Sequence, residues 1–145
     1  MLKIPRKWSV TLSQILTVMF FALLIAGCFV MPFYVDTITD SAHFVYVLIV
    51  AYLILVCAGC ADTALFALLR RVEKGEIFTD RSVALIRLIS WFCILGGVLF
   101  ALLAPLYLVA YPVAFTALFV GICLRVVKNA VEEATALKQE NDFTI

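Results

Sequence analysis

Charged residues are scarce in this chain. Lys, Arg, Asp and Glu make up 14% of the 145 residues, whereas hydrophobic residues make up 66%. A soluble domain carries roughly a quarter charged residues, so this composition excludes an ordinary soluble fold. The apolar runs are continuous rather than alternating, and they reach the roughly 20 residues that cross a bilayer as a helix. Since backbone polar groups in lipid must be paired internally, the chain is predicted to be an all-α integral membrane protein.

The residue types that carry most enzyme chemistry are also sparse. His43 is the single histidine of the sequence and falls in a predicted loop. The sequence shows no Ser/His/Asp set, no histidine-rich metal motif and no glycine-rich phosphate loop. Its basic residues are few and follow the membrane topology, which argues against a nucleic-acid surface. We therefore expect a protein that is not an enzyme, with no catalytic residue, no cofactor, no metal and no direct nucleic-acid contact.

Basic residues are absent from one connecting segment, and this absence sets the predicted orientation. Lys and Arg precede the first apolar run, recur within residues 70–87 and follow the last run, but residues 32–44 contain none. By the positive-inside rule, both termini and the central loop lie in the cytoplasm. Residues 104–112, with two prolines and two tyrosines, are suited to a tight outer turn. An even number of spans follows, and the four that fit are about 10–33, 44–69, 83–103 and 112–127.

The polar segment 70–82 is predicted to be the cytoplasmic hairpin between the second and third spans. Gly75 supplies the turn, and Thr79 followed by Asp80 has the pattern of a helix N-cap with an acid in the first turn. The third helix is therefore expected to begin near Asp80, which places Arg87 at the membrane surface. On residue types alone, the favoured interpretation is a solvated loop that sets orientation, and a docking face is the alternative.

A second polar element is the tail, residues 128–145. Apolar residues recur there and just before it at steps of three and four, which predicts a C-terminal amphipathic cytoplasmic helix on a four-helix membrane bundle. An apolar stripe outside the membrane needs covering. Packing within the protein or a homodimer is favoured over a separate partner. The residues of the predicted stripe are Leu124, Val127, Val131, Ala134 and Leu137.

The hairpin and the tail carry a family resemblance. The stretches KGEIFTDRSVALIRLIS and LRVVKNAVEEATALKQENDFTI resemble the bacterial membrane proteins grouped as domain of unknown function 2975. The resemblance implies a four-span bacterial inner-membrane protein without an established activity. It also implies an association with a small helix-turn-helix transcription regulator, encoded nearby in many members. The residues that match the family motifs are Gly75, Phe78, Thr79, Glu140, Asn141, Asp142, Phe143, Thr144 and Ile145.

Asp62 is the ionisable residue that lies plainly inside an apolar run. Acids within the membrane are costly and therefore raise the question of function. The favoured interpretation is structural, with Asp62 paired to Arg87, Arg125 or a hydroxyl. The alternative is a proton or cation site in a hydrated interior, which would suit a small transporter or channel-like protein.

Small residues surround this acid. Cys57 and Cys60 share a helix face, and Cys93 lies at a similar predicted depth, so a soft-metal site can be drawn with the nearby acid. Packing is the preferred interpretation, because cysteine is a small apolar residue that lets helices approach. Gly96 and Gly97 are likewise predicted to form close helix contacts with the second span.

The two polar elements on one side of the membrane lead to the functional expectation. The protein is expected to be a non-enzymatic binding or regulatory protein that acts through its hairpin and tail, with a transcription regulator as the candidate partner. The runner-up is the small transporter or channel-like role, with Asp62 lining the path. Oligomeric state does not follow from these residues.

Overall fold

The computed structural model describes residues 6–144, with side chains from residue 8 onward. It is built from helices, each long and apolar enough to cross a membrane. The prediction of an all-α protein with four helices of membrane-spanning length is therefore confirmed. The helices are α1 (Arg6–Ile38), α2 (Phe44–Glu73), α3 (Asp80–Leu103) and α4 (Ala110–Phe143).

The helices form an open bundle in which each packs on its neighbours in the chain. α1 contacts α2, α2 contacts α3, and α3 contacts α4, whereas the other pairs do not approach one another within residues 6–144. The central helix is consequently better covered than the first one. In the most apolar stretch of α3, 33% of the residues are buried, compared with 6% in α1. Most of the surface of α1 is thus left for lipid.

Two short connections meet at one end of the bundle, which we call the loop end. These are residues 39–43 and 104–109, and the Thr39 and Tyr107 hydroxyls hydrogen-bond to each other across them. The Tyr46 hydroxyl donates to the Leu102 carbonyl at 3.0 Å. Beneath them, side chains from all four helices and from the α3–α4 turn form the main apolar cluster. Its buried members are Val35, Val47, Val50, Cys57, Leu99, Leu103, Ala104 and Ala110.

α3 and α4 approach each other closely through small residues. A Cβ atom added at Gly97 would lie 2.7 Å from Leu118 Cγ and 3.0 Å from the Leu118 backbone nitrogen. One added at Gly121 would lie 2.7 Å from Ile94 Cγ1. The buried Ser90 hydroxyl donates to the Gly121 carbonyl at 2.9 Å. This contact, which we call the α3–α4 seam, depends on the missing side chains of the two glycines.

The predicted glycine contacts are only partly as expected. Gly97 is closely packed, but its neighbour is α4 rather than the second span. A Cβ at Gly96 would meet Cys57 Sγ on α2 at 4.0 Å, which is ordinary van der Waals contact. Adjacent positions on a helix point about 100° apart, so only one of the two glycines can lie at the closest approach.

The tail is a direct continuation of the fourth helix. α4 continues without interruption to Phe143, so residues 128–143 prolong the fourth helix. The predicted stripe is not covered as one face, because Val127 and Leu137 are exposed while Leu124 is half-buried. The buried residue of the tail is Thr135. A packed C-terminal amphipathic helix is therefore not supported: the spacing showed which residues share a face but not which face is covered.

Candidate functional site

The other end of the bundle carries the hairpin, and its turn begins with a specific backbone motif. Gly75 has φ +79°, a conformation that side-chain-bearing residues rarely adopt. The Glu76 N–H donates to the Arg71 carbonyl at 3.0 Å, and the Gly75 N–H donates to the Val72 carbonyl at 3.1 Å. These two bonds are the pair that defines a Schellman motif at a helix C-terminus. The sequence prediction that Gly75 makes the turn is confirmed.

The hairpin ends in a capped helix start. Thr79 is the N-cap of α3, and its Oγ1 accepts from the Ser82 N–H at 3.3 Å. Ser82 is completely buried, and its hydroxyl donates to the Glu76 carbonyl at 2.9 Å. The predicted cap is confirmed, with Asp80 in the first turn. Because the Schellman turn and the cap share Glu76, the hairpin is a defined turn rather than a loose connection.

Phe78 differs from the other two members of the hairpin motif. Gly75 and Thr79 determine the backbone, whereas the Phe78 side chain is 43% exposed. Phe78 directly precedes the N-cap, and the buried Val83 is at the N4 position of α3; these are the two positions of a hydrophobic staple at a helix start. The exposed part of the Phe78 ring is an apolar surface at the hairpin end.

The tail is joined to α3 by an ion-pair cluster. Glu132 lies 2.6 Å from Lys128 Nζ and 3.7 Å from Arg87 Nη2, so α4 is linked to the first turns of α3. The hydrogen bond and charge of Lys128, with a smaller contribution from Arg87, hold the pKa of Glu132 below its ordinary value. Thr135 is buried one turn further along, and residues 136–144 beyond it are exposed.

The motif residues at the end of the tail make no packed contact. Residues 140–144 are exposed, and Phe143 is 91% exposed. Leu137, one turn and a half earlier, is 61% exposed. Ile145, the last motif residue, lies outside the described residues. At about 1.5 Å per residue, helix 128–143 is about 24 Å long, so these side chains can stand well clear of the hairpin.

Asp62 lies at a second location, in the contact between α1 and α2 that we call the α1–α2 seam. It is 7% exposed and borders a pocket of about 250 Å³, together with Thr17 and Phe21 of α1. The structure does not bring it together with its predicted ionic partners. Arg87 pairs with Glu132, and the Arg125 guanidinium lies 4.3 Å from the centre of the Trp91 ring.

The neighbour of Asp62 on α1 was not identified from the sequence. Thr17 is buried in the seam, but it stands in an apolar run with no spacing that relates it to α2. Only the pairing of α1 with α2 brings the two residues to one pocket. A search for isolated hydroxyl residues in the apolar runs would have included Thr17 among several others.

Cys57 lies in the contact between α2 and α3. Cys57 is buried, and its thiol donates to the Phe92 carbonyl at 3.1 Å across the α2–α3 contact. Cys60 and Cys93 are half-buried. Among the residues whose side chains are described, no group of three His, Cys, Asp or Glu residues is placed to hold a metal ion.

Four membrane-length helices in chain order, with a defined turn and a long helical extension at one end, describe a multi-pass helical membrane protein. The chain belongs to the family of proteins of unknown function DUF2975, whose family model matches residues 5–145. The sequence resemblance drawn from the hairpin and tail is therefore confirmed. No curated protein and no solved structure matches the chain.

Proposed function

We propose that this is a non-enzymatic binding and regulatory protein of the bacterial cytoplasmic membrane, with both termini in the cytoplasm. In this proposal a partner binds exposed apolar side chains on both polar elements, Phe78 on the hairpin and Leu137 and Phe143 on the α4 tail, which together we call the docking surface. The partner is a cytoplasmic protein, and a small helix-turn-helix transcription regulator is the candidate that the family resemblance suggests. The protein would hold or release it at the membrane.

One observation carries the proposal: the helical extension linked to α3 ends in exposed apolar side chains. Glu132 ties the base of the tail to α3 through Arg87. Beyond that tie, Leu137 and Phe143 are exposed, as is Phe78 on the hairpin. Apolar side chains spaced along a helix are a common means of entering a partner's groove.

The charge distribution supports the orientation. Lys and Arg are absent from residues 8–69 and 88–124, so the described basic residues cluster at the hairpin end. Cytoplasmic ends of membrane helices carry such an excess. A membrane-impermeant thiol reagent applied to intact cells tests this directly. Cysteine placed at Thr144 should be protected and cysteine placed at Ser41 should react. Labelling of the Thr144 position with protection at Ser41 would contradict the orientation.

The docking surface is tested by affinity capture of the full-length protein from its native membrane. Three variants are compared with it: a chain ending at Lys128, Leu137→Ser and Leu108→Ser. Leu108 is an exposed leucine at the loop end, so its substitution is the matched control. We expect the native protein and Leu108→Ser to retain the same soluble partner, and the other two to lose it.

A stability measurement separates loss of docking from loss of folding. Thermal unfolding in detergent must be the same for the two leucine variants, since both residues are exposed. If the variants fold equally and the truncated chain still retains the partner, the tail is not the docking surface. If no soluble protein is retained by any form, the proposal of a cytoplasmic partner fails.

A further inference from the structure

The pocket beside Asp62 has a composition that selects a class of ligand. It lies in the α1–α2 seam, is lined by none of the docking-surface residues, and has a volume of about 250 Å³. Apart from one carboxylate and two hydroxyl groups, its walls are aromatic and aliphatic. The lining residues are Thr17, Val18, Phe21, Asp62, Thr63 and Phe66.

The Asp62 carboxylate has no partner within the described part of the chain, although the residue is only 7% exposed. The hydroxyls beside it are already committed. Thr17 donates to the Gln14 carbonyl at 2.8 Å, and Thr63 donates to the Cys60 carbonyl at 2.9 Å. A hydroxyl has a single hydrogen, so both oxygens can only accept from the pocket side. With Asp62 ionised, every polar side chain lining the pocket is thus an acceptor.

Such an arrangement is unfavourable while it stays without a donor. An acid in the apolar part of a membrane protein is costly unless a cation or hydrogen-bond donor compensates it. The basic residues that might do so are engaged elsewhere, Arg87 with Glu132 and Arg125 with Trp91. Arg70 is nearest along α2, and its guanidinium lies 5.8 Å from the centre of the Phe66 ring.

We propose that this pocket binds a small lipophilic organic ammonium ion. The ammonium group would donate to Asp62 and the two threonine oxygens, and the hydrocarbon part would lie against Val18 and Phe21. The faces of aromatic rings attract cations, which adds to the charge preference. Because Arg70 already lies over Phe66, Phe21 is the ring that is available.

Size and coordination favour an organic cation over a metal ion. The pocket volume corresponds to about eight water molecules at roughly 30 Å³ each, which suits a ligand of similar size in non-hydrogen atoms. Hard metal ions take about six or more oxygen ligands, and the side chains here offer a carboxylate and two hydroxyls. Val18 and Phe21 are exposed on the lipid-facing surface, so such a ligand can enter from the bilayer.

The test uses benzylammonium, with benzyl alcohol as a neutral molecule of the same shape. Calorimetric titration is made on the full chain in lipid nanodiscs, with empty nanodiscs subtracted to remove partition into lipid. We expect saturable binding of benzylammonium, at least about tenfold tighter than benzyl alcohol, which is the ratio that loss of one charged hydrogen bond produces. Asp62→Asn should abolish this preference.

A matched phenylalanine pair keeps the test decisive if Asp62→Asn does not fold. Phe21→Leu should weaken benzylammonium binding about twofold to fivefold, the range of an exposed cation–π contact. Phe115→Leu is the control, because Phe115 is exposed on α4 and α4 does not contact α1 within the described helices. It should leave binding unchanged.

Three results would overturn the proposal: equal affinity for benzyl alcohol, full binding by a folded Asp62→Asn variant, or equal losses in the two phenylalanine variants. Competition by sodium at millimolar concentration would also overturn it, since it would indicate an inorganic cation site. The proposal does not depend on the docking surface. The chain ending at Lys128 should bind benzylammonium as the native protein does.

Discussion

The α3–α4 seam and the α1–α2 seam are made of similar apolar helices. They differ in how closely the two helices approach and in whether a buried polar side chain has a hydrogen-bond partner. In the first, an added Cβ at Gly97 would overlap Leu118, at 2.7 Å, and Ser90 donates to a backbone carbonyl. In the second, a Cβ at Gly27 would meet Leu55 at an ordinary 3.6 Å, and a pocket remains beside Asp62. Burial of a polar residue therefore means different things in the two places: Ser90 is satisfied by the fold, and Asp62 is left available.

The close approach of the two helices in the α3–α4 seam has a physical basis. Within a bilayer, helices associate through van der Waals contact and interhelical hydrogen bonds, because lipid tails are as apolar as the side chains. Small residues on α3 and α4 allow both the van der Waals contact and the hydrogen bond between the helices. The α1–α2 seam has larger side chains along it, and Phe21 and Phe66 line the pocket that it contains.

The largest expected effect is at the α3–α4 seam. Gly97→Ala should destabilise the protein by about 1–3 kcal/mol, because the new methyl group forces Leu118 and its backbone away. Gly96→Ala, one residue earlier, is the matched control and should not destabilise. Unfolding by sodium dodecyl sulfate in mixed micelles measures both. Equal stability of the two variants would show that the seam is not as close as described.

A smaller loss is expected at Ser90. Ser90→Ala removes the hydrogen bond to Gly121 but adds no atom to the seam, so the expected destabilisation is about 0.5–1.5 kcal/mol. The same unfolding titration applies. Because the Gly121 carbonyl lies within α4, it keeps its position in the helix when the serine is removed. No change in Ser90→Ala would mean that closeness alone, without the hydrogen bond, holds the seam.

At the α1–α2 seam, a glycine-to-alanine substitution is expected to stabilise the protein rather than destabilise it. Gly27→Ala adds a methyl group where there is room for it, and alanine is the better helix former, so a gain of about 0.5–1 kcal/mol is expected. Comparison with Gly97→Ala in the same titration tests the difference between the seams. A loss at Gly27 as large as that at Gly97 would contradict it.

The smallest effect concerns the pH dependence of the ion pairs that link the tail to α3. Pairing lowers the pKa of Glu132 from its ordinary 4.5, so the pairing stabilises the fold above that pKa and is lost as pH falls through the folded-state value. Glu132→Gln should lower the melting temperature slightly at pH 7, and the difference should shrink as the pH falls below 4.5 and vanish below the folded-state pKa.

Glu133→Gln is the matched control for this pH dependence. Glu133 is the exposed next residue and forms no ion pair in the part of the chain that the structure describes. Its substitution should leave the melting temperature nearly unchanged at both pH values. A pH-independent effect of Glu132→Gln would mean that its pairing with Lys128 does not stabilise the fold.

Local features of this protein were predictable because their causes are local. A long apolar run forms a helix in lipid wherever it occurs, and this determined the helical class. Gly75 was identifiable because a helix end needs a residue that tolerates positive φ, and Thr79 because an N-cap needs a short acceptor side chain. None of these predictions required knowledge of which helix lies beside which.

Pairings between helices were decided by the tertiary structure alone. Arg87 and Arg125 were reasonable partners for Asp62 by predicted depth. In the structure Arg87 pairs with Glu132 and Arg125 lies over the Trp91 ring. Among the described residues, α2 does not contact α4. Thr17 became part of the pocket because α1 packs on α2. The sequence by itself determined the helices and their caps through short-range sterics and hydrogen bonding. Which helix packs on which decided which polar side chains found a hydrogen-bond or ion-pair partner, because these partners come from residues far apart in the chain.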